Sequence, residues 1–230
     1  MTVTFDAAST LIEVRWEPVS FALSLARELG LELDEGEAGA VYEHLLRTRW
    51  GHYRQLNLTR DPVICDQWWS DLTHEWLVRT RQDPTPTQAL TDLARERLYA
   101  PGTTVFSLYD DTLPCLEALK AAGHQLAILS NWDTSLHRVV KTLAIEHYFD
   151  AVIASLEEGA EKPDPELFRI ALGRLGASKE TTVHVGDNPL DDLRGAQEFG
   201  IRALLLDRSS PNPQPPMVNS LLAVPRLVGG

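Results

Sequence analysis

From about Thr112 to Leu206 the chain alternates helix-period segments with short apolar runs, and no other feature of the sequence constrains its fold as strongly. Helical periodicity runs over 111–122, from about Ser135, over 164–175 and over 191–199. Strand-like runs stand between and after them, at 125–130 (QLAILS), 149–154, 182–185 and 201–206. A helix between successive strands forces a crossover, and crossovers return strands in parallel. The pattern therefore predicts an α/β fold with a doubly wound parallel sheet, Rossmann-like, and helices on both faces. Gly123, Gly176 and Gly200 close three of the helices, as a left-handed terminal position favours. Residues 2–6 are short, β-rich and broken by Asp6-Ala7-Ala8-Ser9, which predicts a further strand of the same sheet.

Between that first strand and Thr112 the texture differs. Four stretches of helical period, at 19–30, 36–56, 63–81 and 86–99, follow one another with no strand pattern among them. This predicts a four-helix insertion early in the chain. The expected organisation is a core from residues 1–15 and 105–230, with a helical insertion over 16–104. Four prolines between Pro211 and Pro216 predict a mobile linker, after which Leu221–Val228 docks back.

Composition narrows the partners. With 33 acidic against 21 basic residues the formal net charge is −12. An acidic balance of this size repels phosphate backbones and anionic lipid, so neither nucleic acid nor membrane is expected as a partner. No apolar run approaches the roughly 18 residues of a membrane span. Cys65 and Cys115 are far apart and outside any CxxC spacing, which argues against a disulfide framework or a zinc site. With no leader visible before the first strand, the expectation is a cytoplasmic protein, monomer or homodimer, acting on a small molecule.

In such sheets ligands bind beyond the carboxyl ends of the strands. Those ends carry the chemistry here: Asp6 with Ser9-Thr10 beyond it, Ser130-Asn131, Lys162 after the 149–154 run, and Gly186-Asp187 with Asp191 and Asp192 following. A carboxylate can attack phosphorus and form a covalent intermediate. Clustered Asp6 and Asp187 repel each other unless a hard divalent cation such as Mg²⁺ lies between them. Ser130 and Lys162 would hold and neutralise the transferring oxygens.

The chain resembles the haloacid dehalogenase superfamily over nearly its whole length, with four motifs in order. FDAAST stands in place of the family's DxDxT loop, LAILSN supplies Ser130, EKPDPELF supplies Lys162, and VGDNPLDDLRGAQEFG supplies Asp187 and Asp192. DQWW, LSNWD and HVGDN look like the haloacid dehalogenase-like hydrolase domain-containing protein 3 subgroup. The resemblance implies that the insertion is a cap domain and that Asp6 is the nucleophile. It also implies that Asp6, the Ala8 carbonyl, Asp187 and Asp192 form the Mg²⁺ site. Thr10, Ser130 and Lys162 would complete the catalytic set, with Ser130, Asn131 and Lys162 binding a small phosphorylated substrate.

One position departs. The family's phosphatases carry a second aspartate two residues after the nucleophile, where this chain has Ala8. Alanine offers a carbonyl but no proton, and losing a general acid/base costs about 10²–10⁴ in rate. Three functions are therefore in play: a Mg²⁺-dependent phosphatase, a metal-independent 2-haloacid dehalogenase whose leaving halide needs no proton, and a catalytically weak or silent phosphate-binding regulator. In the insertion, Arg49, His52, Tyr53 and Arg54 are candidates for substrate contacts, and of the adjacent Trp68 and Trp69 one is expected in the core and the other facing the cleft. His124, His137 and His184 read as structural.

Overall fold

In a computed structural model, which describes residues 1–229, the chain forms two compact units. One comprises Met1–Val14 and Ser107–Gly230, the other Arg15–Phe106.

The first unit is built on a six-stranded sheet with strand order β5-β4-β1-β6-β7-β8. Its strands are β1 (Thr2–Phe5), β4 (Gln125–Ser130), β5 (Ala151–Ala154), β6 (Thr182–Gly186), β7 (Arg202–Leu206) and β8 (Met217–Val218). Every pairing is parallel, as the alternation predicts. β1 is central and buried along its length, held by β4 on one side and β6 on the other. Helices α5 (Thr112–Ala121), α6 (Leu136–Thr142), α7 (Ser155–Glu158), α8 (Pro165–Leu175) and α9 (Gly195–Phe199) fill the crossovers, and α10 (Val224–Val228) closes the chain. Leu167, Phe168, Ala171, Leu129, Ile153 and Ala196 form one buried face of this core.

Three local expectations need correction. The run at 149–154 is strand only from Ala151, because residues 146–148 form a 3₁₀ turn first. The helix expected over 191–199 is divided: Pro189–Arg194 is a π-turn, and only then does α9 begin. The proline-rich segment is not a free linker. It descends into β8, and Leu205 donates its N–H to the Pro216 carbonyl at 2.9 Å. Prolines suit that place, since residues without an N–H are tolerated at a sheet margin.

The second unit is helical: α1 (Pro18–Glu28), α2 (Glu35–Asn57), α3 (Pro62–Arg79) and α4 (Thr87–Tyr99). Asp34 and Asp61 cap α2 and α3 by accepting from Glu37 N (3.0 Å) and Val63 N (2.8 Å). Pro62, whose missing N–H costs nothing in a first turn, starts α3. Ala26, Leu45, Leu72, Trp76 and Leu77 fill the core. Trp76 stacks edge-on against Tyr42 and donates its indole N–H to the Ala38 carbonyl at 2.8 Å. Tyr53, taken from the sequence as a substrate contact, is a core residue at 1% exposure, packed against Trp50, Trp68 and Trp69. Trp68 is buried; Trp69 is half-buried, packs against Trp16 and donates to the Tyr53 hydroxyl at 3.1 Å. Arg49 is ion-paired with Glu75. The strands β2 (Ile12–Val14) and β3 (Phe106–Leu108) pair as a short two-stranded ribbon, and no local pattern announced it.

Candidate active site

The chain leaves β1 toward β4 and leaves β6 toward β7, in opposite directions along the sheet. β1 and β6 therefore flank the topological switch point, where a crevice opens beyond the strand ends. Asp6 is the first residue past β1, and its N–H still donates to the Val185 carbonyl of β6 at 2.9 Å, which fixes its backbone. The Asp6 carboxylate is buried, and two donors meet it: Ser130 Oγ at 2.9 Å from the end of β4, and Lys162 Nζ at 2.6 Å. Both bonds fall on Oδ1, so Oδ2 is the oxygen left for other chemistry.

Lys162 reaches this point by a rigid route. Asn131, just past β4, brackets its backbone, accepting from Lys162 N at 2.7 Å and donating to Lys162 O at 2.9 Å. Asp164 then caps α8, with Pro165 in the first turn. The side-chain amide of Asn131, expected to bind substrate, is thus engaged at both ends with the lysine segment.

The other wall comes from β6. Asp187 lies just beyond the strand and accepts from Thr10 Oγ1 at 3.1 Å. Asn188 caps the π-turn by accepting from Leu190 N (2.8 Å) and Asp191 N (3.0 Å). The extra residue of a π-turn brings Asp192, at 1% exposure, inward, while Asp191 stays half-buried at the rim. Asp192 Oδ1 accepts from Lys162 Nζ at 2.6 Å and from His184 Nε2 at 3.0 Å, and Oδ2 accepts from Asn188 N at 2.9 Å. A Cβ on Gly186 would sit 2.1 Å from Asp192 Cγ, so only glycine lets that carboxylate tuck beneath the strand end.

The loop after Asp6 is tightly wound. Ser9 sits at φ 59, a left-handed conformation uncommon for a residue with a Cβ. Ser9 N donates to Ile12 O at 2.8 Å, and Ala8 forms an isolated bridge with Ile12. Beneath the loop, Arg208 donates to the Thr10 carbonyl at 2.9 Å and grips Asp111 through two bonds of 2.8 and 3.0 Å. Asp111 also accepts from Ser220 Oγ (2.7 Å) and Leu221 N (2.9 Å), so the end of the chain braces the loop that follows Asp6. Sequence reasoning missed this brace, and no local signal could have found it, because Arg208 and Thr10 are 198 residues apart.

These elements enclose a cleft of about 200 Å³ lined by Asp6, Ala8, Ser130, Lys162, Asp187 and Asp191 among others. Four carboxylates, of Asp6, Asp187, Asp191 and Asp192, and one ammonium face it. The imbalance bears on Asp187 and Asp191. Burial, and then the charge of Asp6, raise the Asp187 carboxyl above its ordinary value, and burial with Asp192 does the same to Asp191. Burial also opposes the charged form of Lys162, but Asp6 and Asp192 outweigh it and the net shift is upward. Asp192 moves the other way: burial resists, yet His184 and Lys162 hold it well below the usual carboxylate range. Burial lowers His184. Asp6, Asp187 and Asp192 each bring an oxygen within 4.8 Å of the others. Hard oxygen donors with uncompensated negative charge are the set that Mg²⁺ prefers, so the residues fit that ion.

Comparison with known proteins now decides the lineage. A sequence profile for haloacid dehalogenase-like hydrolases matches residues 1–200. The chain belongs to this family. Over 212 residues it is 29% identical to haloacid dehalogenase-like hydrolase domain-containing protein 3 of Mus musculus, covering 91% of this chain and 82% of that protein. The subgroup resemblance read from the motifs therefore runs through most of the chain. A phosphoserine phosphatase of Thermus thermophilus is 40% identical over 104 residues, 45% of this chain and 42% of that enzyme. Among solved structures, a 2-haloacid dehalogenase from Pseudomonas syringae pv. Tomato DC3000 superposes with a TM-score of 0.69 at 24% identity, covering 99% of this chain and 97% of that one, a likeness of fold alone. Within the haloacid dehalogenase-like hydrolase family, the chain has phosphatases among its relatives. No helix among the described residues is long and apolar enough to cross a membrane.

Proposed function

We propose that this haloacid dehalogenase-like hydrolase is a Mg²⁺-dependent phosphatase of small phosphorylated metabolites, working through an aspartyl-phosphate on Asp6. The observation that carries the reading is the division of labour on the Asp6 carboxylate: Lys162 and Ser130 hold Oδ1, and Oδ2 is left as the attacking atom. Asp6, Asp187 and the Ala8 carbonyl would hold Mg²⁺, with Asp192 set behind them by its three hydrogen bonds. When bound, Mg²⁺ neutralises charge that would otherwise keep an anionic nucleophile from an anionic substrate.

Oδ2 forms the new bond to phosphorus as the bond to the leaving oxygen breaks. Lys162 offsets the charge on Oδ1 and on the phosphoryl oxygens, and Ser130, whose one proton rests on Oδ1 here, would turn it to a phosphoryl oxygen once substrate binds. Water then cleaves the acyl-phosphate and releases inorganic phosphate. Ala8 cannot protonate the leaving group, so the substrates that suit this site are those whose leaving oxygen departs without help: acyl phosphates and aryl phosphates. The relative named a phosphoserine phosphatase supports phosphoryl chemistry, while the retained Asp187 argues against the metal-independent dehalogenase alternative. Ala8 keeps one rival alive, a phosphate-binding protein without turnover.

The test is hydrolysis of p-nitrophenyl phosphate and acetyl phosphate with Mg²⁺ or with EDTA, by wild type, Asp6→Asn and Ala8→Asp. The expected pattern is metal-dependent turnover, none in Asp6→Asn, and a gain of about tenfold or more in Ala8→Asp. An inert wild type that Mg²⁺ and phosphate nonetheless stabilise against melting would favour the binding protein, and chelator-insensitive halide release from a 2-haloacid would favour the dehalogenase.

A further inference from the structure

His184 is fully buried in β6, two residues before Gly186, and does not itself line the cleft. The parallel register sets Thr4 of β1 directly opposite it. Thr4 Oγ1 lies 2.9 Å from Nδ1, and Asp192 Oδ1 lies 3.0 Å from Nε2. Phe168 packs edge-on against the ring at 5.4 Å and 87°. Two polar groups on a buried strand pair carry a desolvation cost, offset only if every bond between them is satisfied in direction as well as distance.

For a neutral imidazole one pattern satisfies both contacts. A carboxylate accepts and cannot donate, so the proton that faces Asp192 belongs to Nε2. Oδ1 of Asp192 already shares its charge with the Lys162 ammonium. With a neutral imidazole, Nδ1 is then a lone pair, and the Thr4 hydroxyl is the donor that meets it. The bonds now run in one direction: Thr4 to His184, His184 to Asp192. Lys162 is shared between Asp192 and Asp6, at 2.6 Å to each.

We propose that Thr4 and His184 form a tautomer lock, a pair of positioning residues that aim Asp192 at Lys162 and so hold the ammonium on Oδ1 of Asp6. Without the lock, Asp192 keeps Asn188 N and Lys162 as partners but loses the third point that fixes its plane. The ammonium then drifts between two carboxylates rather than resting on both. Neither Thr4 nor His184 touches the reacting atoms. The effect falls on the rate of the chemical step more than on substrate affinity, because Lys162 keeps its charge in the site and loses only its fixed placement against Oδ1 of Asp6.

The inference rests on the phosphatase reading only for its kinetic arm. The other arm is a long-range ¹H–¹⁵N correlation spectrum of the full-length ¹⁵N-labelled protein near neutral pH. The expected result is a His184 ring protonated at Nε2 and bare at Nδ1; a proton on Nδ1 overturns the lock. In the kinetic arm, with p-nitrophenyl phosphate and Mg²⁺, Thr4→Val should lower kcat about threefold to tenfold, the size of one lost hydrogen bond, with KM within about twofold. Thr4→Ser, which restores the hydroxyl, should recover most of that rate. A folded Thr4→Val with wild-type kcat, or a Thr4→Ser no better than Thr4→Val, overturns the positioning role. If wild type hydrolyses no phosphate ester at all, the phosphatase reading has failed, and the nitrogen spectrum still decides the lock.

Discussion

Between Arg15 and Phe106 the described residues bury tyrosines and tryptophans, but Asn57 is the one other polar side chain there that is fully enclosed, and it donates to the Tyr53 carbonyl at 2.9 Å. The sheet unit, by contrast, encloses Asp6, Lys162, Asp192, His184 and Glu157 along with several hydroxyls. Both units have dense apolar cores, so neither needs buried charge to fold. Removing a charge from water costs several kcal/mol per ion after relaxation. Where a chain accepts that cost repeatedly and in one place, the charges are the purpose of the place. The helical unit is held by shape, and the sheet unit by shape plus a directed set of hydrogen bonds.

The comparison can be broken first at Lys162. Lys162→Met keeps the stem and removes the ammonium, leaving Asp6 and Asp192 facing each other unpaired. The expected outcome is a loss of about 10²–10³ in kcat on an aryl phosphate together with about 3–5 kcal/mol of stability, read by denaturant titration. A variant that loses rate but no stability would show that the buried charges were never structurally coupled. Next, Trp76→Ala in the helical unit removes a core ring and its bond to Ala38. It should cost about 3–5 kcal/mol with no change in how stability depends on pH, since no charge is involved. The smallest effect belongs to the exposed His137, whose Nε2 lies 3.1 Å from the buried Glu157 carboxylate. That hydrogen bond raises the His137 pKa against the opposing effect of burial. A raised folded pKa means the contribution is complete below the unfolded value near 6.5 and is lost as pH rises through the folded one. Denaturation of wild type and His137→Gln between about pH 5 and 8 should therefore show the gap closing toward the alkaline end. A gap that stays constant would remove this pair from the account.

How much of this was legible beforehand follows from distance along the chain. The parallel sheet was legible because strand and helix periods are local, and so was the gathering of Asp6, Ser130 and Asp187 at strand ends, with Lys162 in the turn that follows α7. The role of Asn131 was not, because nothing in the sequence says that its amide would turn back onto Lys162. Tyr53 was misread as polar because its hydroxyl is visible in a sequence and its neighbours in space are not. β8 escaped notice since two residues carry no period. Thr4 and His184 stood in plain strand positions, but their bond joins residues 180 apart, and only the register of β1 against β6 reveals it.

The π-turn at Pro189–Arg194 has a consequence for anyone aligning this chain with others. Asp192, five positions after Asp187, is the carboxylate that enters the protein, and Asp191, at four, stays at the rim. A relative with one residue fewer in that stretch would have to wind the turn as ordinary α-helix to deliver its own carboxylate to the same spot.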